Sequence, residues 1–308
     1  MKKIILIFAF FIAFQMSNAQ MVNYRVDNRT DQLSPLKVGL TLVGVENFLT
    51  PITAGVSVDY RLIDHLTLNG QARIGYLKNF LLNESALVTT QPENTGFYSE
   101  ITGNYAFLDW TSKGKIKVQT SGSTYFKAQC DARHQIAGTA GVFDYSRSGV
   151  EYCNSTNYII SGTTNLIPSN PDQNMFLLSK NTFGGVFGLT YSNIKKCIVH
   201  YNDVSQTKYL MNRLYFHLLA GGTGVGKITY NGSDYKIDNA KNLQPIGYKL
   251  GWYVEEGIMT AGLEFGLMPD IYFQTPQQPS VTADKYPNYF KFTFGLMLYG
   301  SDSKFGMK

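Results

Sequence analysis

The chain has 308 residues, a formal charge of +5 at pH 7, 16% charged and 14% aromatic residues, 29 glycines and three cysteines. So mild a positive excess weighs against a nucleic-acid partner, and cysteines without a C-x-x-C spacing weigh against a zinc or thiol-redox motif. The length suits one large all-β domain, a barrel or a sandwich.

Lys2 and Lys3 precede an unbroken apolar run, Ile4–Phe14, and Ser17-Asn18-Ala19 has the small-x-small form of a cleavage site. This pattern predicts a secretory signal peptide over 1–19, a mature chain from Gln20 and a formal charge of +3 once the two lysines are gone. No Cys follows the cleavage site, so a lipoprotein is not expected. After the leader no apolar stretch approaches the ~20 residues that a helical span needs. A membrane protein built from the rest has to be a closed barrel, because only helices and barrels satisfy their backbones in lipid.

Residues 20–35 are polar and read as an extended segment ahead of the first strand. Alternation of apolar and polar residues then predicts strands at Leu36–Val45, Ile52–Arg61 and Leu66–Leu77, since successive strand side chains point to opposite faces. Lys78–Thr95 reads as a long loop. Gly96–Leu108 and Gly114–Ser121 read as a hairpin, and His134–Tyr145 and Asn157–Ser161 as strands. Phe183–Tyr191 is followed by an expected turn at Ser192–Lys196 and a short strand at Cys197–Tyr201. Asn212–Tyr230 reads as one long strand or two. The last strands are Gly247–Glu255, Ile258–Leu267 and Tyr289–Tyr299, with a proline-bearing loop over Met268–Pro287 between the last two. The expected total is about 12 strands, within a range of about 8 to 14. The domain boundaries are 36–300 for the barrel and 301–308 for a polar tail.

The hairpin at Gly247–Leu267 carries the strongest signal. Tyr248, Leu250, Trp252 and Val254 share one face, and Lys249, Gly251, Tyr253 and Glu255 the other. One side is apolar and uncharged, as a barrel wall facing hydrocarbon requires, and the charged side faces a polar lumen. With Glu256-Gly257 as the turn, Lys249 stands opposite Glu264. Lys291, Arg73, Arg61 and Asp59 point the same way and are expected to join them in a lumen charge network, either a structural plug or a charged constriction.

The segment Gly55-Val56-Ser57-Val58-Asp59-Tyr60-Arg61-Leu62-Ile63-Asp64-His65-Leu66-Thr67-Leu68 resembles the hairpins common in outer-membrane β-barrel proteins of Gram-negative bacteria. The leader ending in Asn18-Ala19-Gln20 is similar to those of the Bacteroidota. The resemblance implies an antiparallel transmembrane β-barrel in the cell outer membrane. Its surroundings would be outer-membrane lipid, the barrel assembly machinery and other envelope proteins. Barrels of this class commonly end on an aromatic residue, whereas this chain ends Phe305-Gly306-Met307-Lys308, leaving Tyr299 or Phe305 for that role. Tyr60, Tyr76, Tyr191, Trp252 and Tyr299 are candidates for interfacial girdles.

Other constellations carry little chemistry. Gly221-Gly222-Thr223-Gly224-Val225-Gly226-Lys227 approaches a phosphate-binding loop, but Ile228 stands where its hydroxyl residue belongs, so no nucleotide is expected. No G-x-S-x-G elbow and no His-x-x-x-His pair occurs, and neither cofactor nor metal is expected. Cys130 and Cys153 fall in polar sequence and could form a disulfide in an oxidising compartment. The functional expectation is a non-enzymatic barrel: a small channel, a ligand-binding barrel or a structural component of an envelope assembly. The alternatives are an exported β-sandwich binding module and, further off, a barrel lipid hydrolase using His217.

Overall fold

The computed structural model describes residues 23–46, 52–75, 96–121, 124–152, 175–230, 233–235, 241–272 and 288–299. The expected leader, the 301–308 tail, the 157–161 strand, Tyr76 and Cys153 lie outside them. Every element is a strand: β1 (Tyr24–Asn28), β2 (Leu36–Glu46), β3 (Thr53–Ile63), β4 (Leu66–Gly75), β5 (Phe97–Ser121), β6 (Thr124–Tyr152), β7 (Met175–Tyr201), β8 (Val204–Tyr230), β9 (Ser233–Tyr235), β10 (Lys241–Gln244), β11 (Ile246–Glu256), β12 (Met259–Leu267), β13 (Asp270–Tyr272) and β14 (Asn288–Tyr299).

Ten strands close on themselves. The circuit runs β7-β6-β5-β4-β3-β2-β14-β12-β11-β8, and β8 returns to β7. All pairings are antiparallel, so the fold is an all-β closed barrel and not two stacked sheets. Closure leaves no free edge in the wall. β1 adds to β7 and β9 to β8 outside the circuit, and β10 with β13 forms a separate two-stranded ribbon.

Two pairs of expected strands are each a single strand of the wall. The expected hairpin over 96–121 is the single strand β5, which absorbs its polar middle through a bulge beside Phe107. The expected turn at Ser192–Lys196 is uninterrupted β7, held by β8 throughout and by β6 as far as Ile194. Pairing on both edges overrides the local turn preference of Ser192 and Asn193. The actual reversal is Asn202-Asp203, both at positive φ (44° and 60°), a two-residue type I′ loop. The segment at 20–35, expected to precede the strands, contains β1, which pairs Tyr24–Asn28 against Tyr201–Cys197.

β2, β3, β4, β11, β12 and β14 are 9 to 12 residues long. At ~3.3 Å per residue and ~45° tilt, such strands rise about 25 Å, the height of a hydrocarbon band. Their outward side chains are apolar and exposed: Val56, Leu250, Trp252, Phe265, Phe290 and Phe292 keep 42–48% of their surface. A water-soluble protein rarely leaves such a belt uncovered.

The four central strands are much longer, 25 to 29 residues. At the rim of short turns, β4 ends against Tyr105 and β11 against Leu210. Beyond these points the β5–β6 and β7–β8 hairpins project out of the barrel. β6 and β7 part after the Arg133–Ile194 pair. From there their outward faces pack on each other through Ile116, Val118, Ala128, Cys130, Cys197, Val199 and Tyr201, with Val26 of β1 against them.

Candidate functional site

Among the described residues, charge is concentrated out of water in the barrel interior. The interior is built in layers, because inward positions recur every second residue along each strand. At the long-loop end Tyr98, Phe143, Tyr145, Val186, Leu219 and Met268 form an apolar cap. The Tyr145 hydroxyl donates to the carbonyl of Pro269 at 2.7 Å, tying the chain beyond β12 into it.

Below the cap lies an ionic layer. Lys249 donates to Glu100, and its Nζ also reaches the Tyr98 hydroxyl at 3.1 Å. Tyr98 in turn donates to Glu100, while the Arg73 guanidinium stacks over the Tyr98 ring at 4.3 Å. Glu264 pairs with Lys291 at 3.1 Å and accepts a hydrogen bond from Tyr215. Gly251 stands between Tyr215 and Glu264 in the register. A Cβ there would lie 2.1 Å from the Tyr215 ring, so only glycine lets that ring cross the strand to its carboxylate.

A polar relay extends from this layer. Thr139 donates to Asn104 at 2.6 Å, Asn104 to Asn69 and Asn69 to Asp59. Arg213 lies 3.5 Å from Asp59. Thr190 links Thr139 (2.9 Å) to His217 Nε2 (3.3 Å). At the turn end Lys37 donates to Tyr209 (2.7 Å) and to Glu255 (3.1 Å), beside an apolar floor of Ile194, Tyr209, Met211, Leu33 and Tyr253.

Two cavities remain between cap and floor. One, of about 150 Å³, is bordered by Arg73, Glu100, Tyr215, His217, Glu264 and Lys291. The other, about 80 Å³, is bordered by Asp59, Arg61, Asn69, Asn104, Tyr209 and Arg213. Both are polar and large enough for several water molecules. In the described layers between them Lys37, Arg73, Arg213, Lys249 and Lys291 meet Asp59, Glu100, Glu255 and Glu264. Buried ions among them are paired, Lys37 with Glu255, Lys249 with Glu100 and Lys291 with Glu264, as burial demands.

All six residues expected in the lumen network point inward, but not in the expected pairs. The β11–β12 turn is Gly257-Ile258, with Gly257 at φ 66°, so Glu256 pairs with Met259. The register therefore moves by two residues: Lys249 faces Gly266, and Gly251 faces Glu264. An even shift keeps both side chains inside while changing their partners. Glu264 meets Lys291 from β14, and Lys249 meets Glu100 from across the barrel.

Glu100, Lys37, Glu255, Tyr215 and Arg213 complete the network beyond the residues singled out from sequence. Alternation already placed Lys37 and Glu255 inside. The Tyr98, Glu100, Thr102, Asn104 series carried the same signal for Glu100.

Of the expected Cys130–Cys153 disulfide, Cys153 lies outside the described residues. Cys130 shares a buried apolar cluster with Cys197.

His217 is 6% exposed in the lumen, and its hydroxyl neighbour is Thr190 and not a serine. A Ser–His contact occurs elsewhere: Ser112 Oγ lies 2.8 Å from His134 Nε2, and His134 Nδ1 lies 2.7 Å from the Tyr191 hydroxyl. The His134 ring stacks on Trp110 at 5.1 Å on the outer face. Of the candidate girdle residues, Tyr60 and Trp252 are outward and each 45% exposed.

No family model matches the chain, and no curated protein resembles it in sequence. Among solved structures it is similar to OmpT, an outer membrane protein of Vibrio cholerae, in its in-vitro folded trimer form. That likeness is at 12% identity over 89% of this chain and 99% of that one, with a TM-score of 0.14. It is also similar to a loop L8 deletion mutant of the same protein, at 13% identity over 89% and 98%, with a TM-score of 0.13. Superpositions this loose carry no argument about function.

Proposed function

We propose that this chain is a non-enzymatic β-barrel of the bacterial outer membrane whose lumen is plugged, and that it serves as a structural component of the envelope. The observation that supports this most is the opposition of its two surfaces. Exposed Val, Leu, Phe and Trp side chains ring a wall of about hydrocarbon height, while the ionic layers inside are paired. In lipid the belt is solvated by hydrocarbon; in water it would drive aggregation.

The plug favours a structural role over a small channel. The two cavities lie between an apolar cap and an apolar floor, and the charges that could select a permeant are bound to each other. The projecting hairpins offer a rim on which other envelope proteins could dock. Two measurements test the reading. The protein should stay with the membrane through a carbonate wash, and it should give no steady conductance in planar bilayers. Release by carbonate would overturn the membrane assignment, and a stable ohmic conductance would overturn the plug.

A further inference from the structure

Cys130 of β6 and Cys197 of β7 sit in adjoining strands that have parted company. The barrel wall splits beyond Arg133 and Ile194, and the two hairpins are held together there by side chains and by β1. Asn28 of β1 pairs with Cys197, and its Oδ1 accepts from the backbone N–H of Asp131 at 2.8 Å. This brings the segment holding Cys130 against Cys197. The two residues are 2% and 0% exposed and pack in one apolar cluster.

We propose that Cys130 and Cys197 form a disulfide that bolts the β5–β6 hairpin to the β7–β8 hairpin across the split, leaving Cys153 as the unpaired thiol. The pairing rests on the proposed export to an oxidising compartment, where such disulfides persist.

Formation requires a disulfide oxidant, a small-molecule disulfide or an oxidoreductase. The Cys130 thiolate, its proton released to solvent, attacks one sulfur of that disulfide. The other sulfur leaves as a thiolate and takes up a proton. The Cys197 thiolate then attacks Cys130 in the mixed disulfide and expels the second oxidant thiol. Two protein thiols are oxidised to one cystine, and the oxidant disulfide is reduced to two thiols. Because both sulfurs are buried once the hairpins dock, exchange belongs to the open chain, before docking.

The test counts thiols with a polyethylene-glycol maleimide under denaturing conditions. Protein refolded into detergent with glutathione disulfide should give one adduct before reduction and three after. Peptide mapping should join the fragments holding Cys130 and Cys197. Cys130→Ser and Cys197→Ser should each give two adducts. Three adducts from the refolded wild-type protein, or a cystine that includes Cys153, would overturn the pairing. Protein taken from cell envelopes without reductant separates the two readings. One adduct there supports both, and three adducts from a chain that pairs in vitro would overturn the export reading rather than the pairing.

Discussion

The Glu264–Lys291 pair offers the sharpest test of the lumen, because the alternative register makes a different pair. Both side chains are buried, at 1% and 6% exposure, and their charged atoms are 3.1 Å apart. Removing one partner of such a pair typically costs 3–5 kcal/mol, because the other charge is left buried and uncompensated. Lys291→Met should fall at the lower end, about 3 kcal/mol, since Glu264 keeps its hydrogen bond from Tyr215. Glu264→Gln should cost a similar amount. The double variant should recover much of the loss, giving a coupling of about 2 kcal/mol or more. Urea unfolding of the refolded barrel in detergent, followed by tryptophan fluorescence, measures all four corners of the cycle. A second cycle on Glu264 and Lys249 should give a smaller coupling, because Lys249 is engaged by Glu100. If the Lys249 cycle gave the larger value, the β11–β12 register would be wrong by two residues.

Other consequences can be checked directly. Gly251→Val should displace Tyr215 from Glu264 and lower the urea midpoint, whereas the same change at Gly138, whose Cβ would meet nothing within 4 Å, should do so far less. Phe292→Arg, on the exposed belt, should cost about 2–4 kcal/mol in lipid if it lies near mid-membrane, read as reduced folding yield in vesicles. The Asp27 carboxyl is held below its ordinary value of 3.8, chiefly by its hydrogen bond with His200 and further by Arg25. A depressed carboxyl stabilises above its unfolded pKa, so β1 docking should weaken as the pH falls below about 4, seen as faster amide exchange at Tyr24–Asn28. Lipase assays on wild type, His217→Ala and His134→Ala should show no histidine-dependent hydrolysis; activity lost with either substitution would refute the non-enzymatic reading.

Much of the architecture was legible in the residues because a barrel strand repeats every two. That period placed Leu250, Trp252 and Phe292 outside and Lys249, Glu264 and Lys291 inside without any knowledge of partners. It survived even a two-residue error in register, since an even shift changes neighbours and not faces. The period is silent about where a strand runs on because a long neighbour pairs with it. Asp109–Lys113 and Ser192–Lys196 look like turns locally, yet β5 and β7 run through them. Ring closure alone brings β5 within reach of β11, so the Lys249–Glu100 pair spans 149 residues of chain that no local pattern connects. The same holds for Cys130 and Cys197: their meeting depends on two hairpins outgrowing the wall and folding their outer faces together. The chain's alternation thus dictated which side of the wall each residue occupies, and three-dimensional closure chose its companions.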